Sequence, residues 1–481
     1  MVLEGGDLSP NRRPGPTPLS WAVKGGHEAV VNMLLERDDV NPNVADAGGQ
    51  TPLFIAAGDG HEGIVKMLLE RWDINPNAKN EYGETPLYIA AWMGHGGVVK
   101  MLLERKGINP DASDHLSSET PLYRAVWEGH EGIVKMLLER KDVNPNTANQ
   151  EGQTPLWGAA GEGNERIMEM LLEHVDVNPN TPDNVGRTPL SIATGCGHEG
   201  IVKVLLKRWD VSPNTQNQCG ETPLSIACWE GHEGVVKILL ERNDIKPDIP
   251  ENFASETPLF IAAREGYEGI VKMLLERNDV NPNTADHNGK TPLFIAAREG
   301  REGVVKMLLE RADLSPDAAD RCGETPLYEA AWAEYEGVVK TLLERTDVNP
   351  NIANSSGQTP LFIAAWKGHE RIVKILLARN DVNPNIAALD GETPLFMAAR
   401  QGRKAVVKSL LERMDINIHI TDLDGKTALS QALSRGHDDI VKLLSAHRSS
   451  LPASDGDKLA TLSSPEPSNL DQRPSKRSRR V

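Results

Sequence analysis

Residues 257–290 read TPLFIAAREGYEGIVKMLLERNDVNPNTADHNGK, an order of residue types that specifies two short helices and then a long turn. Thr257 is placed to accept from the opening turn of the first helix, and Pro258 takes the first helical position, where a missing N–H costs nothing. Leu259, Ala262 and Ala263 recur at i, i+3 and i+4 on one face, with two small residues that let a neighbouring helix come close, and Gly266 ends the helix. The second helix gathers Ile270, Val271, Leu274 and Leu275 on one stripe and spaces Glu268, Lys272 and Glu276 along a solvated side. Arg277 reads as a last-turn cation that suits the helix dipole. The remainder is rich in Asn, Asp, Gly and Pro, so it reads as turn. Neither helix hides its apolar stripe alone, and the unit needs a copy of itself on each side.

The copies are present. Thr-Pro-Leu or a close variant recurs at Thr17, Thr51, Thr85, Thr120, Thr154, Thr188, Thr222, Thr257, Thr291, Thr325, Thr359, Thr393 and Thr427, thirteen starts in all. The spacing is 34 residues, except from Thr85 to Thr120 and from Thr222 to Thr257, where it is 35. This predicts an all-α array of about thirteen helix-turn-helix units over residues 17–447. Residues 1–16 mirror the exit of a repeat and read as the truncated end of a preceding unit, whose uncapped face is a candidate for self-association. Residues 448–481, rich in Ser, Pro and charge, hold too few apolar side chains to order themselves and are expected to be a disordered tail. The two longer spacings share an odd turn, 114–119 and 251–256, which loses the usual Gly and gains a residue. Each reads as a tolerated surface insertion or as a protruding finger that carries Leu116 or Phe253 to a partner.

Thr-Pro-Leu-x-x-Ala at this period resembles the ankyrin repeat. Tetratricopeptide units share the 34-residue period, but their Trp, Gly-Tyr and late Pro markers are missing. The resemblance covers nearly the whole chain, and implies an ankyrin-repeat solenoid that binds proteins through a concave groove. Repeats this alike, with Gly-His-Glu-Gly-Ile-Val-Lys and Asp-Val-Asn-Pro-Asn, also resemble arrays attached to fungal NACHT-type receptors. Two departures matter. The family's His after Thr-Pro-Leu is replaced by Phe54, Tyr88, Tyr123, Trp157, Ser191, Ser225, Phe260 or Phe362, so ring packing is expected to replace its hydrogen bond between repeats in most units. The family's Gly after the second helix is replaced at Trp72, Val175, Thr346 and Met414, which argues against a left-handed cap there.

The net charge is −17, and removing the tail leaves 45 basic against 65 acidic side chains. Such a body argues against nucleic acid or an anionic membrane as the main ligand. Cys196, Cys219, Cys228 and Cys322 form no C-x-x-C pair, Cys228 stands where other repeats hold Ala, and a reducing compartment is expected. No apolar run is long enough to span a bilayer, and the first residues have no secretory core.

Eight repeats open the second helix with Gly-His, at His27, His61, His95, His130, His198, His232, His369 and His437. One imidazole per repeat, at steps of about 10 Å, cannot chelate a single ion, so these read as inter-helix turn residues. There is no nucleophile elbow, P-loop, H-E-x-x-H or dinucleotide fingerprint, and neither catalysis nor a cofactor or metal is expected.

What breaks the repetition is the end of the first helix, where Trp92, Trp127, Trp229, Arg264, Arg298, Trp332, Trp366 and Arg400 stand after the paired small residues. By the resemblance this place lines the groove, and Trp and Arg are the types that most often dominate interface energies. These eight are the candidate protein-binding residues, concentrated from position 229 to 400; the competing reading is that the indoles only pack on the next repeat. Gly161 and Gly195 interrupt the row and suggest two contact zones. Lys476, Arg477, Arg479 and Arg480 resemble a single-cluster nuclear import signal. The expectation is a cytoplasmic interaction scaffold, nuclear if that cluster works. The alternative is a ligand-sensing regulatory fragment of a larger NTP-driven receptor.

Overall fold

The computed structural model describes residues 16–450. The half-repeat expected at the start and the basic cluster Lys476, Arg477, Arg479 and Arg480 lie outside them. The chain falls into two compact units: one runs to Ala330 and takes in Glu344–Val348, the other comprises Ala331–Leu343 and the residues from Asn349 onward. Among the described residues there are 26 helices taken two by two, from Pro18–Lys24 to Asp438–Ser450, and no strand beyond an isolated bridge between Thr421 and Thr427. The last helix extends to Ser450, into the stretch expected to be tail. No helix among them is long and apolar enough to cross a membrane.

The unit at Thr257 forms for the reasons its residues give. Thr257 Oγ1 accepts from Phe260 N at 3.3 Å, Pro258 opens the helix Pro258–Glu265, and Gly266 closes it at φ +85°. A two-faced first helix, however, is not what forms: Pro258, Leu259, Phe260, Ile261, Ala262 and Ala263 are all buried. That helix packs against the first helices before and after it and against its own partner, so it is apolar nearly all round. Only the second helix, Glu268–Leu275, keeps one buried stripe, at Ile270, Val271 and Leu274. The rings at Phe54, Tyr88, Tyr123, Trp157, Phe260 and Phe362 are buried as expected, and so is Cys228. None of Trp72, Val175, Thr346 and Met414 has a positive φ.

Within each compact unit, neighbouring repeats are joined by ladders of hydrogen bonds, three of them made by side chains. Arg277 corrects its assignment: the helix stops at Leu275, and the guanidinium reaches back to donate to the Leu240 carbonyl of the preceding repeat at 2.9 Å while gripping Asp279 at 2.7 Å. Arg71, Arg208, Arg242, Arg311, Arg379 and Arg413 repeat this bond, each satisfying a helix-end carbonyl one unit earlier. The turn histidines do more than turn the chain: His95, His130, His198, His232 and His437 place Nε2 on a carbonyl at the last or next-to-last residue of the first helix one repeat earlier. The turn tips add a backbone bond each, as where Asn252 N donates to Cys219 O at 2.9 Å.

The third side-chain ladder runs through the Asn-Pro-Asn exits. Asn283 Nδ2 donates to Asp313 O and its Oδ1 accepts from Ser315 N, both at 2.7 Å, so one amide satisfies two backbone groups of the next repeat. Asp111 and Asp248 occupy equivalent rungs. Each accepts from the following repeat, from Asn144 N at 2.9 Å and Asn281 N at 2.8 Å, but Oδ1 of each is buried without a hydrogen-bond partner. Burial raises the pKa of both carboxyls. Replacing Asp111 or Asp248 by Asn restores the missing donor and is expected to stabilise the protein by about 1 kcal/mol each at neutral pH. A carboxyl whose folded pKa is raised contributes stability that is full below its unfolded pKa and lost as pH rises through the folded one. Urea titrations at pH 4, 5.5 and 7 should therefore find the Asn variants gaining most on the wild type at the highest pH.

Candidate protein-binding face

The variable place lies in the last turn of the first helix, before a glycine-rich corner, and its carbonyl accepts from the histidine one repeat on at Trp92 and Arg400 and from Arg301 at Arg264. In the first unit Trp92 is half-buried, meets Tyr88 edge-on at 6.2 Å, and lies beneath the Arg124 guanidinium at 4.6 Å. Arg124 is fixed in turn by Glu119 at 2.7 Å and by the Tyr88 hydroxyl at 3.1 Å. Trp127, also half-buried, stacks on Tyr123 at 5.9 Å. Trp229 is 37% exposed, and the Arg264 guanidinium sits 4.2 Å above its ring while bonded to Glu256 and Glu265. Arg298 is exposed and lies 3.8 Å from Glu329. Burial, reinforced by Glu324, raises Glu329 to about 7, so that neighbour titrates near neutrality.

In the second unit Trp332 and Trp366 are 45% and 38% exposed, and the Lys367 ammonium lies over both rings, at 4.4 Å and 5.8 Å. Arg400 pairs with Glu392. The geometry thus places four of the candidates, Trp92, Trp229, Trp332 and Trp366, in small clusters with a cation on the indole face, whereas Trp127 stacks on a tyrosine and Arg298 and Arg400 face glutamates without an indole. Between Trp127 and Trp229 the row carries Gly161 and Gly195, and the indole nearby, Trp157, is buried and donates to Arg187 O at 3.2 Å.

Arg124, Lys367 and the glutamates that precede Thr-Pro-Leu are the members that sequence reading missed. Arg124 stands three residues before the variable place, so scanning that place alone passes over it. A signal exists: Glu119, Glu256 and Glu392 occupy one register, directly before the Thr that starts a repeat, and each pairs with an arginine. A cation on an indole face contributes about 0.5–2 kcal/mol, and here it also fixes the ring's orientation.

The sequence profile described as "Ankyrin repeats (3 copies)" matches in overlapping stretches, 1–80, 19–114, 79–149, 122–217, 176–252, 208–286, 245–320, 278–354, 315–388 and 361–455. No curated protein matches the chain. Among solved structures, the ankyrin repeat domain of Bcl-3, described as a unique member of the IkappaB protein family, is similar at 25% identity and a TM-score of 0.43, over 47% of this chain and 99% of that one. With twelve Thr-Pro-Leu starts and a thirteenth Thr-Ala-Leu, helices paired throughout the described residues and a profile match that runs from end to end of the array, the chain belongs to the ankyrin-repeat family, whose members are in general protein-interaction modules and not enzymes.

Proposed function

We propose that the chain is a non-enzymatic scaffold that captures protein partners through the ends of its first helices. The residues in contact are Trp92, Trp127, Trp229, Arg264 and Arg298 in the first unit and Trp332, Trp366 and Arg400 in the second. One observation carries the reading: large indoles stand more than a third exposed at Trp229, Trp332 and Trp366, yet each has a cation over its face and so is ordered before a partner arrives. A side chain already held in one orientation loses little entropy on binding, and Trp and Arg supply the contact area and donors from which interface hot spots are made. The net charge of −17 favours partners with basic surfaces over nucleic acid or anionic lipid.

Trp332→Ala combined with Trp366→Ala tests it. Affinity capture with quantitative mass spectrometry should show specific partners depleted at least tenfold, a loss of about 1.4 kcal/mol or more. The midpoint of thermal unfolding should move by less than about 3 °C. A large drop in the midpoint with capture unchanged would make those rings part of the packing and end the proposal.

A further inference from the structure

The first unit holds one arrangement twice, offset by 137 residues, the distance from Thr85 to Thr222. In the first copy Arg124 lies 4.6 Å over the Trp92 ring and 2.7 Å from Glu119. In the second, Arg264 lies 4.2 Å over Trp229 and 2.6 Å from Glu256. The lengthened turn beside each cluster bends at a serine with φ +58°, Ser118 or Ser255, where other tips use glycine. Each turn also lifts one apolar side chain into solvent, Leu116 at 66% exposure and Phe253 at 76%.

Copying of a four-repeat block would explain matched positions, but one element is not matched. Arg124 is the fifth residue from its Thr and Arg264 the eighth; the places in register with them hold Ile261 and Trp127. The guanidinium has changed its position in the helix and still covers the same indole and pairs with the same glutamate. Inheritance does not account for that, whereas a shared requirement does.

Both clusters carry more negative than positive charge. Arg124 also faces Glu128 at 3.9 Å, and Asp114 and Glu151 add to the field on Glu119. Arg264 also faces Glu265 at 3.0 Å, and Glu221 and Glu256 add to the field on Glu251. A cationic group beside an apolar one complements such a surface, the first meeting the surplus carboxylates and the second packing on the fingertip and the free edge of the indole.

We propose, resting on the protein-binding reading above, that these are two equivalent half-sites for a partner that presents one basic-and-apolar peptide element twice. Four helix layers separate them, about 40 Å. Two probes test this on the full chain by fluorescence anisotropy. One is a labelled peptide with a single Lys-Arg-Phe element; the other has two such elements joined by a Gly/Ser linker of about fifty residues, whose r.m.s. length is about 40 Å.

The tandem peptide should bind at least about tenfold more tightly than the single one, because its second element binds at high effective concentration. Leu116→Ser or Phe253→Ser, each at an exposed tip, should return the tandem peptide to the single peptide's affinity. Equal binding of both peptides, or a tandem gain that survives both substitutions, would overturn the paired site while leaving a protein-binding surface in place. If neither peptide binds, the basic-and-apolar chemistry is wrong, and the test at Trp332 and Trp366 decides separately whether the broader reading stands.

Discussion

Gly220→Val should destabilise the first unit by at least about 3 kcal/mol, measured as a shift in the urea midpoint with the slope unchanged. Gly220 sits in a turn tip at φ +80°, a conformation that costs an L-residue about 1–2 kcal/mol and suits a β-branched one worst. Strain is only part of the effect. A Cβ built there would stand 2.4 Å from Asn252 N, the group that donates to Cys219 O across the repeat boundary. Backbone cannot swing aside as a side-chain end can, so the substitution pushes neighbouring tips apart and breaks their bond. Gly425 is the control: its φ is +76°, but a Cβ there meets nothing within 4 Å. Gly425→Ala should cost only the conformational strain, about 1–2 kcal/mol. Equal losses at the two sites would mean that the close approach of tips contributes nothing.

Phe294→Ala should cost about 3–5 kcal/mol, the range for emptying a fully buried aromatic site. Phe294 is 0% exposed, stands at the place where the family has histidine, and lies in a first helix packed against the helices Pro258–Glu265 and Glu302–Leu309. Helices in this close stack have few ways to collapse into the void. Phe294→Leu, which keeps most of the volume, should recover more than half of the loss. A cost below about 1 kcal/mol for the alanine variant would show that the ring is dispensable and that the ladders alone join the units.

The parts of the fold that could be read from the sequence are those decided within a few residues. Thr257, Pro258 and Gly266 mark a helix because cap, first position and stop act locally, and the 34-residue period shows that the unit is stacked. What escaped depends on groups 30 or more residues away. Asn283 reads as a turn residue until Asp313 and Ser315 are brought against it, and Arg277 reads as a cap for its own helix until the preceding helix ends beside it. The same holds for the binding face. Trp92 and Trp229 were visible because they interrupt a repeated position, but the guanidiniums over them come from two different positions of the following helix, a pairing that spacing alone does not reveal.

Everything here rests on units that hold together through contacts with their immediate neighbours. The most direct test is peptide-resolved hydrogen exchange on the Phe294→Ala protein. Amides of Pro258–Glu265 and Glu302–Leu309, the two helices packed against the one that carries the cavity, should exchange at least about a hundredfold faster than in the wild type, while those of Glu62–Glu70 keep wild-type rates. Uniform acceleration of all three helices would contradict the account.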